Sequence, residues 1–406
     1  MDDEDAPQTP GSRMAFPRGL AKLATSGLAA ASIACAEIDQ RPGTDQLVTR
    51  LDSAGIEIVV NGAVRERLGD LEVPRDSLLL DSLGEPFLFT SIPPWGARTT
   101  PNGTTIVVSP QESRAYIFDA AGRFAGRLGS RGDGPGELRL PLSVITSSDT
   151  VAIYDPQRLA VQRWSLPDRN LLPQVNIPAQ QQGATLLLIT GDSLLIAQSV
   201  EREDSVETRI GWSIPAPSVL DYRQPAGLVV PLPCLPFPIR RAPLLTPMVR
   251  VASYHQSVAV SGGGEYRISI LSHDRLRRIV SRVVEPRPTD QRAIKLAAGR
   301  GIRGSLGDSR CEIGPDELAA LIGAADIVPP ISGLSLTGDG SLWVLRSLPD
   351  ERPSIVDQFD SSGVYFRTLR GMALPIGALP DGRLLIPIQD EESGGLFVAL
   401  VRLPQR

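Results

Sequence analysis

The feature that most constrains this chain is a short unit that returns along its length. A polar turn is followed at once by a run of apolar residues. Asn102 and Gly103 precede the run TIVV (105–108), and Asp149 precedes VAIY (151–154). Asp192 precedes LLIA (194–197), Gln256 precedes VAV (258–260), Gly340 precedes LWVL (342–345) and Gly382 precedes LLIP (384–387). The intervals between these turns are 46, 43, 64, 84 and 42 residues. Three of the five fall near the roughly 40–50 residues of a propeller blade. The two longer intervals predict insertions.

Each unit has a second half. An apolar residue and a polar turn recur further on, as in Phe118-Asp119 before Gly122, Trp164 before Asp168, Ile270 before Asp274, and Phe359-Asp360 before Gly363. Two successive hairpins make a small sheet that cannot bury both faces alone. Several such sheets around an axis bury one another and leave only short edges. Six copies predict an all-β, six-bladed β-propeller over residues 47–406. The run GIEIVV (55–60) is an additional strand, expected to pair with the last blade near VALV (398–401) and close the ring.

Composition agrees. The chain has 38 glycines and 36 prolines, which would interrupt helices, and its 42% hydrophobic content is ample for a large core. The net charge of -5 supplies no basic field for nucleic acid.

Two stretches break the strand pattern. Thr289-Asp290 opens a segment poor in β-branched residues, and Pro315, Asp316 and Glu317 suit the first turn of a second helix. Residues 287–326 therefore read as a helical insertion, either a cap over a binding site or a decorated loop. Residues 213–247 carry nine prolines and predict an extended, irregular connection, either ordered or a strip for a partner.

The N-terminal part predicts export. After an acidic stretch, Met14 offers a second start; Arg18 and Lys22 then precede an apolar stretch at 23–34 and Cys35. That stretch is shorter than the roughly 20 residues needed to span a bilayer, and its flanks match a secretory signal. The string ASIAC (31–35) resembles a bacterial lipoprotein signal. The resemblance implies lipidation of Cys35, a membrane contact made through that anchor alone, and a linker at 36–46. Cys234 and Cys311 are then an even pair in an oxidising compartment, a possible disulfide.

The run GSRGDGPGE (129–137), following Phe118-Asp119 and Gly122, resembles the inter-blade connection of bacterial six-bladed propellers of the NHL-repeat and TolB-like kind. The string PPISGLSLTGDGSLWV (329–344) resembles a later blade of the same group. The resemblance covers roughly residues 47–406. It implies the fold and, often, a lipoprotein; it implies no single activity.

Chemical motifs are few. The histidines are His255 and His273 alone, and no G-x-S-x-G elbow is present. Arg131-Gly132-Asp133 spells an adhesion tripeptide, but its place in the connection favours turn chemistry. Propellers bind where loops converge at the central mouth. The ligand-binding candidates there are Asp119, Arg131, Asp133, Glu137 and Asp155, each also a natural turn residue. No catalytic residue and no cofactor is predicted. The expectation is a non-catalytic scaffold of the cell envelope that binds a protein or small ligand at the mouth. The alternative is a metal-dependent hydrolase or lactonase holding a divalent cation such as calcium at the axis. Asn102 is the one asparagine in a turn beside an inner strand, a weak basis for that site.

Overall fold

In the computed structural model the recurring turn has one geometry. The amide of Gly103 donates to Thr100 O, that of Gly340 to Thr337 O and that of Gly363 to Asp360 O, each at 2.9 Å. Gly363 has φ +81°, a conformation that a Cβ disfavours. A Cβ there would also lie 2.7 Å from Cγ2 of Val280 in a neighbouring sheet. In the Asp-x-x-Gly version the aspartate closes the loop. Asp360 Oδ1 accepts from the amides of Ser362 and Val364, as Asp119 Oδ1 accepts from those of Ala121 and Arg123.

The structure describes residues 37–40, 47–63, 68–70, 77–93, 95–146, 149–177, 185–190, 193–201, 205–212, 218–225, 228–231, 238–254, 256–272, 275–299, 301–306, 309–347, 354–390 and 393–403. Among these, six sheets of three or more strands follow in chain order. Sheet I holds Ala97–Thr99, Thr105–Ser109, Arg114–Phe118 and Phe124–Leu128. Sheet II holds Ser143–Thr146, Thr150–Asp155, Ala160–Ser165 and Leu171–Asn176. Sheet III holds Thr185–Thr190, Ser193–Glu201, Ser205–Trp212 and Ser218–Pro225. Sheet IV is built on Arg250–Tyr254, Ser257–Ser261, Arg267–Ser272 and Arg275–Arg282. Sheet V is built on Ile331–Leu336, Leu342–Arg346, Ile355–Phe359 and Tyr365–Arg370. Sheet VI holds Gly377–Ala378, Leu384–Gln389 and Leu396–Val401.

The two-residue period of a strand explains how these sheets join. Ile106 and Val108 point into a core shared with Val144, Val151 and Ile153 of sheet II. Val107, between them, points the other way, into a core shared with Leu385 and Val398 of sheet VI. Sheet V repeats the division: Leu342 and Val344 pack toward sheet IV, and Trp343 toward sheet VI. Separate cores join sheets II to III and III to IV. The cores thus run from each sheet to the next and from the last back to the first. A closed ring of small antiparallel sheets is a β-propeller.

The N-terminal strands dock differently from the sequence expectation. Ile56–Asn61 pairs in parallel with the outer strand of sheet IV, not with the last sheet. Three contacts hold it there. Glu57 accepts from Arg278 Nε at 2.6 Å, and Val59 packs on Val48 and Val364. The buried Asn61 amide donates to Ser281 O and Gly363 O and accepts from the Tyr365 amide. Leu47–Ser53 and Glu37–Gln40 add to the same edge, so part of the expected 36–46 linker is a strand. Leu68–Asp70 lies parallel to the edge of sheet V. The last sheet is instead completed by residues 78–89. Leu79 donates to Val398 O, and Phe89 exchanges backbone hydrogen bonds with Leu396.

The helical insertion is present. Helix α1, Gln291–Ala298, is capped by Asp290, whose carboxylate accepts from the Ala293 amide at 2.7 Å. Helix α2, Pro315–Ile322, has proline in its first turn. A pairing of Arg287–Pro288 with Ile327–Val328 closes the base. Leu318, Ile322, Ile313 and Cys311 form the insertion's own core, with Leu244 of the proline-rich stretch packed on it.

Candidate functional site

A cavity of about 640 Å³ opens where the inner strands begin. Five sheets contribute to it: Arg98 from sheet I; Ala197, Ser199 and Thr208 from sheet III; Arg250–Ser253 from sheet IV; Ser332–Leu336 and Leu345 from sheet V; and Pro387, Gln389 and Leu396 from sheet VI. The segments that lead into the inner strands add Trp95, Leu374 and Ile376. In a closed ring, a cavity common to five sheets lies at the axis. The contributing residues stand at starts of first strands, ends of second strands and starts of third strands, so one face of the ring carries the opening.

The walls are mostly apolar, with serine hydroxyls between. Ser332 donates to Leu345 O at 3.2 Å and Ser335 to Pro375 O, which commits their protons to the frame. Trp95 donates from its indole to Val251 O at 3.2 Å and is thereby fixed in place. Ser199 and Gln389 are exposed.

Two cations stand among these groups. Arg98 is only 8% exposed. Its guanidinium donates to Ala97 O at 2.8 Å and to Ser253 Oγ at 3.3 Å. Burial lowers its pKa to about 10, with Tyr254 pulling the other way, so it stays charged at neutral pH. Arg250 is half-buried, its pKa is also lowered by burial, and its Nε has no hydrogen-bond partner. Among the described residues no carboxylate pairs with either guanidinium, and the lining contains no Asp or Glu.

The lining does not fit a divalent cation. Calcium takes about 6–8 oxygen ligands, chiefly carboxylates and carbonyls, and two guanidinium groups repel it. Among the described residues no group of three or more His, Cys, Asp or Glu side chains is placed to hold a metal.

The five candidates read from the sequence lie elsewhere. None lines the cavity. Asp119 closes its turn as described above. The other four gather at the connection from sheet I to sheet II. Asp133 pairs with Arg139, which holds its carboxyl below the usual range. Glu137 accepts from the Gly134 amide at 2.6 Å. Asp155 is fully buried and accepts from the amides of Arg139 and Leu140 on one oxygen, and of Gln157 and Arg158 on the other. Arg158 in turn donates to the carbonyls of Asp133, Gly134 and Glu137. Arg131 is exposed and forms a backbone bridge with Leu138. These contacts build a rigid connection on the cavity-bearing face. Asn102 is exposed in its turn.

The arginines that do line the cavity escaped the sequence reading. Their signal was available: Arg98 interrupts the inner strand just before the Asn102-Gly103 turn, and Arg250 opens the inner strand before Tyr254. Arginine on an innermost strand has no route to bulk solvent around the blade. His255, His273, Cys35 and Cys234 lie outside the described residues. Cys311 is buried and disulfide-bonded.

No protein-family profile and no curated protein sequence matches the chain. Solved structures do. A protein of Bacteroides fragilis, provisionally designated as exported, shares 13% identity over 83% of this chain and 99% of its own, with a TM-score of 0.46. A DUF4221 member from Bacteroides vulgatus shares 10% over 80% and 94%, with a TM-score of 0.38. The calcium-binding protein regucalcin of Agrobacterium tumefaciens shares 12% over 78% and 91%, with a TM-score of 0.37.

Proposed function

We propose that this chain is an exported six-bladed β-propeller, anchored by a lipid on Cys35, that serves the cell envelope as a non-catalytic binding scaffold. Its ligand is a small molecule seated in the axial cavity. The observation that carries this reading is the cavity itself. Its volume falls within the roughly 300–1,000 Å³ of small-molecule sites, and its lining mixes apolar walls with a few placed polar groups. Six sheets joined in a cycle support the blade count. The apolar stretch ahead of Cys35 supports export, and no helix among the described residues is long and apolar enough to cross a membrane. Cys234 is the partner we assign to Cys311, which would tie the proline-rich stretch to the helical insertion; mapping the disulfide by mass spectrometry of the unreduced protein checks it.

The test is a thermal-shift screen of small molecules on two proteins, the wild type and Ser199→Trp. Ser199 is exposed at the cavity, so an indole there fills the opening while leaving the core intact. Ligands that raise the midpoint of the wild type and not of the variant support the scaffold reading. Ligands that stabilise both proteins equally place binding elsewhere and refute it. Turnover of an ester or lactone that requires a divalent ion would replace it with the hydrolase.

A further inference from the structure

We propose that the axial cavity is a receptor for a small organic acid, a carboxylate on an apolar body, with Arg98 and Arg250 holding the anionic end. This rests on the reading of the cavity as the ligand site and names the chemistry of its ligand.

The argument begins with the burial of Arg98. A guanidinium carries five N–H donors and no acceptor. At this position the polypeptide supplies a carbonyl and a serine hydroxyl, and no counter-charge. Folding therefore removes a cation from water without neutralising it, a loss that proteins ordinarily avoid by pairing. Arg250 adds a second cation with its Nε unpartnered. An anion in the cavity supplies the missing counter-charge and acceptors for the spare donors, and a planar carboxylate matches the guanidinium fork.

The rest of the lining sets the body of the ligand. Trp95, Leu334, Leu374, Ile376 and Val251 offer apolar surface. Ser332 and Ser335 spend their protons on backbone carbonyls, so they contribute little to a polyhydroxylated ligand. A free inorganic anion would leave most of this surface dry and unused. A carboxylate with an alkyl or aryl body uses both halves.

Isothermal titration calorimetry tests the proposal with four probes: decanoate, decanol, decylamine and inorganic phosphate. Decanoate is expected to bind the wild type, with decanol far weaker and decylamine and phosphate silent. Arg98→Met and Arg250→Met are each expected to weaken decanoate by roughly 10–100-fold, the worth of a charge-assisted hydrogen bond. Arg98→Lys should recover part of the loss. A second readout guards against misfolding: without ligand, Arg98→Met should melt at or above the wild-type temperature, because an unpaired buried charge has gone. Decanol or decylamine binding as tightly as decanoate, and blocked by Ser199→Trp, would overturn the anion assignment and leave the scaffold reading standing. The same holds if decanoate binds both arginine-to-methionine variants as it binds the wild type and Ser199→Trp blocks it. Silence from all four probes also overturns the anion assignment and leaves the scaffold reading to the library screen. Phosphate binding alone would replace the organic acid with an inorganic anion.

Discussion

Asp357 offers the sharpest test of how sheets IV and V are held together. Its carboxylate is fully buried, as is nearly all of Arg282, and the two approach to 2.6 Å. Tyr266 donates to the same oxygen at 2.6 Å, and Thr368 donates to the other at 2.6 Å. Arg282 also lies over the Tyr365 ring, 4.0 Å from its centroid. Asp357→Asn keeps the shape and removes the charge. The new amide NH₂ must then face either Thr368 or the Tyr266–Arg282 pair, and Arg282 can only donate. Removing one partner of a buried pair costs about 3–5 kcal/mol. Unfolding entropy near 60 °C is about 2.1 cal/mol/K per residue, so a unit of roughly 360 residues changes by about 0.75 kcal/mol per degree. The expected fall in melting temperature is therefore about 4–7 °C. Calorimetry or circular dichroism on the intact protein reads it. The double variant Asp357→Asn with Arg282→Met removes the stranded cation while keeping an oxygen acceptor for Tyr266, and should recover much of the loss. A fall of under about 1 °C for Asp357→Asn would refute the reasoning, because a stranded buried cation cannot be that cheap. A double variant as unstable as the single one would refute it too.

Three further outcomes follow from other sites. Gly363→Ala should cost roughly 1–3 kcal/mol in urea unfolding, because positive φ and the contact with Val280 act together, and an unchanged midpoint would contradict the turn geometry. Burial, reinforced by the Asp357 carboxylate, raises the Tyr266 hydroxyl well above its usual 10. The folded state then keeps a proton that the unfolded state releases, so stability present below pH 10 falls as pH rises beyond it; Tyr266→Phe should flatten that decline, and an identical slope would argue against it. Asp290→Ala should cost about 0.5–2 kcal/mol and speed amide exchange in α1 first, so exchange spread evenly over the ring would count against the cap.

Much of the ring was legible because turn chemistry and strand alternation are local. Asn102-Gly103, Asp339-Gly340 and Asp381-Gly382 mark tight turns, and the runs after them divide their side chains between two interfaces whatever lies beyond. The two short helices were legible for the same reason, α1 by its Asp290 cap and α2 by the proline in its first turn. The destination of Ile56–Asn61 was not. Its hydrophobic pattern suits any outer edge, and the choice was made by Glu57 finding Arg278 and by Asn61 reaching Gly363, contacts more than two hundred residues away in sequence. The lining of the axial cavity was not legible for a related reason. Acidic residues near glycine turns draw attention as ligands, yet Asp119 and Asp155 are consumed by backbone amides. Arg98 and Arg250 carry a signal only as cations on inner strands, and closure of the ring is what buries Arg98 and half-buries Arg250.

The docking of Ile56–Asn61, Leu68–Asp70 and residues 78–89 on sheets IV, V and VI has a consequence during synthesis. These residues are synthesised early, and the strands of sheets IV, V and VI that they pair with are synthesised late, while Leu80 also bonds to Gly122 and Phe124 at sheet I. Until sheet VI exists, Leu79 and Phe89 lack their backbone partners Val398 and Leu396, and the edges of sheets IV and V wait for strands already made. A half-made chain therefore carries open strand edges that invite pairing with a second molecule. The finished ring carries a clasp, in which a segment made early fastens sheets made late.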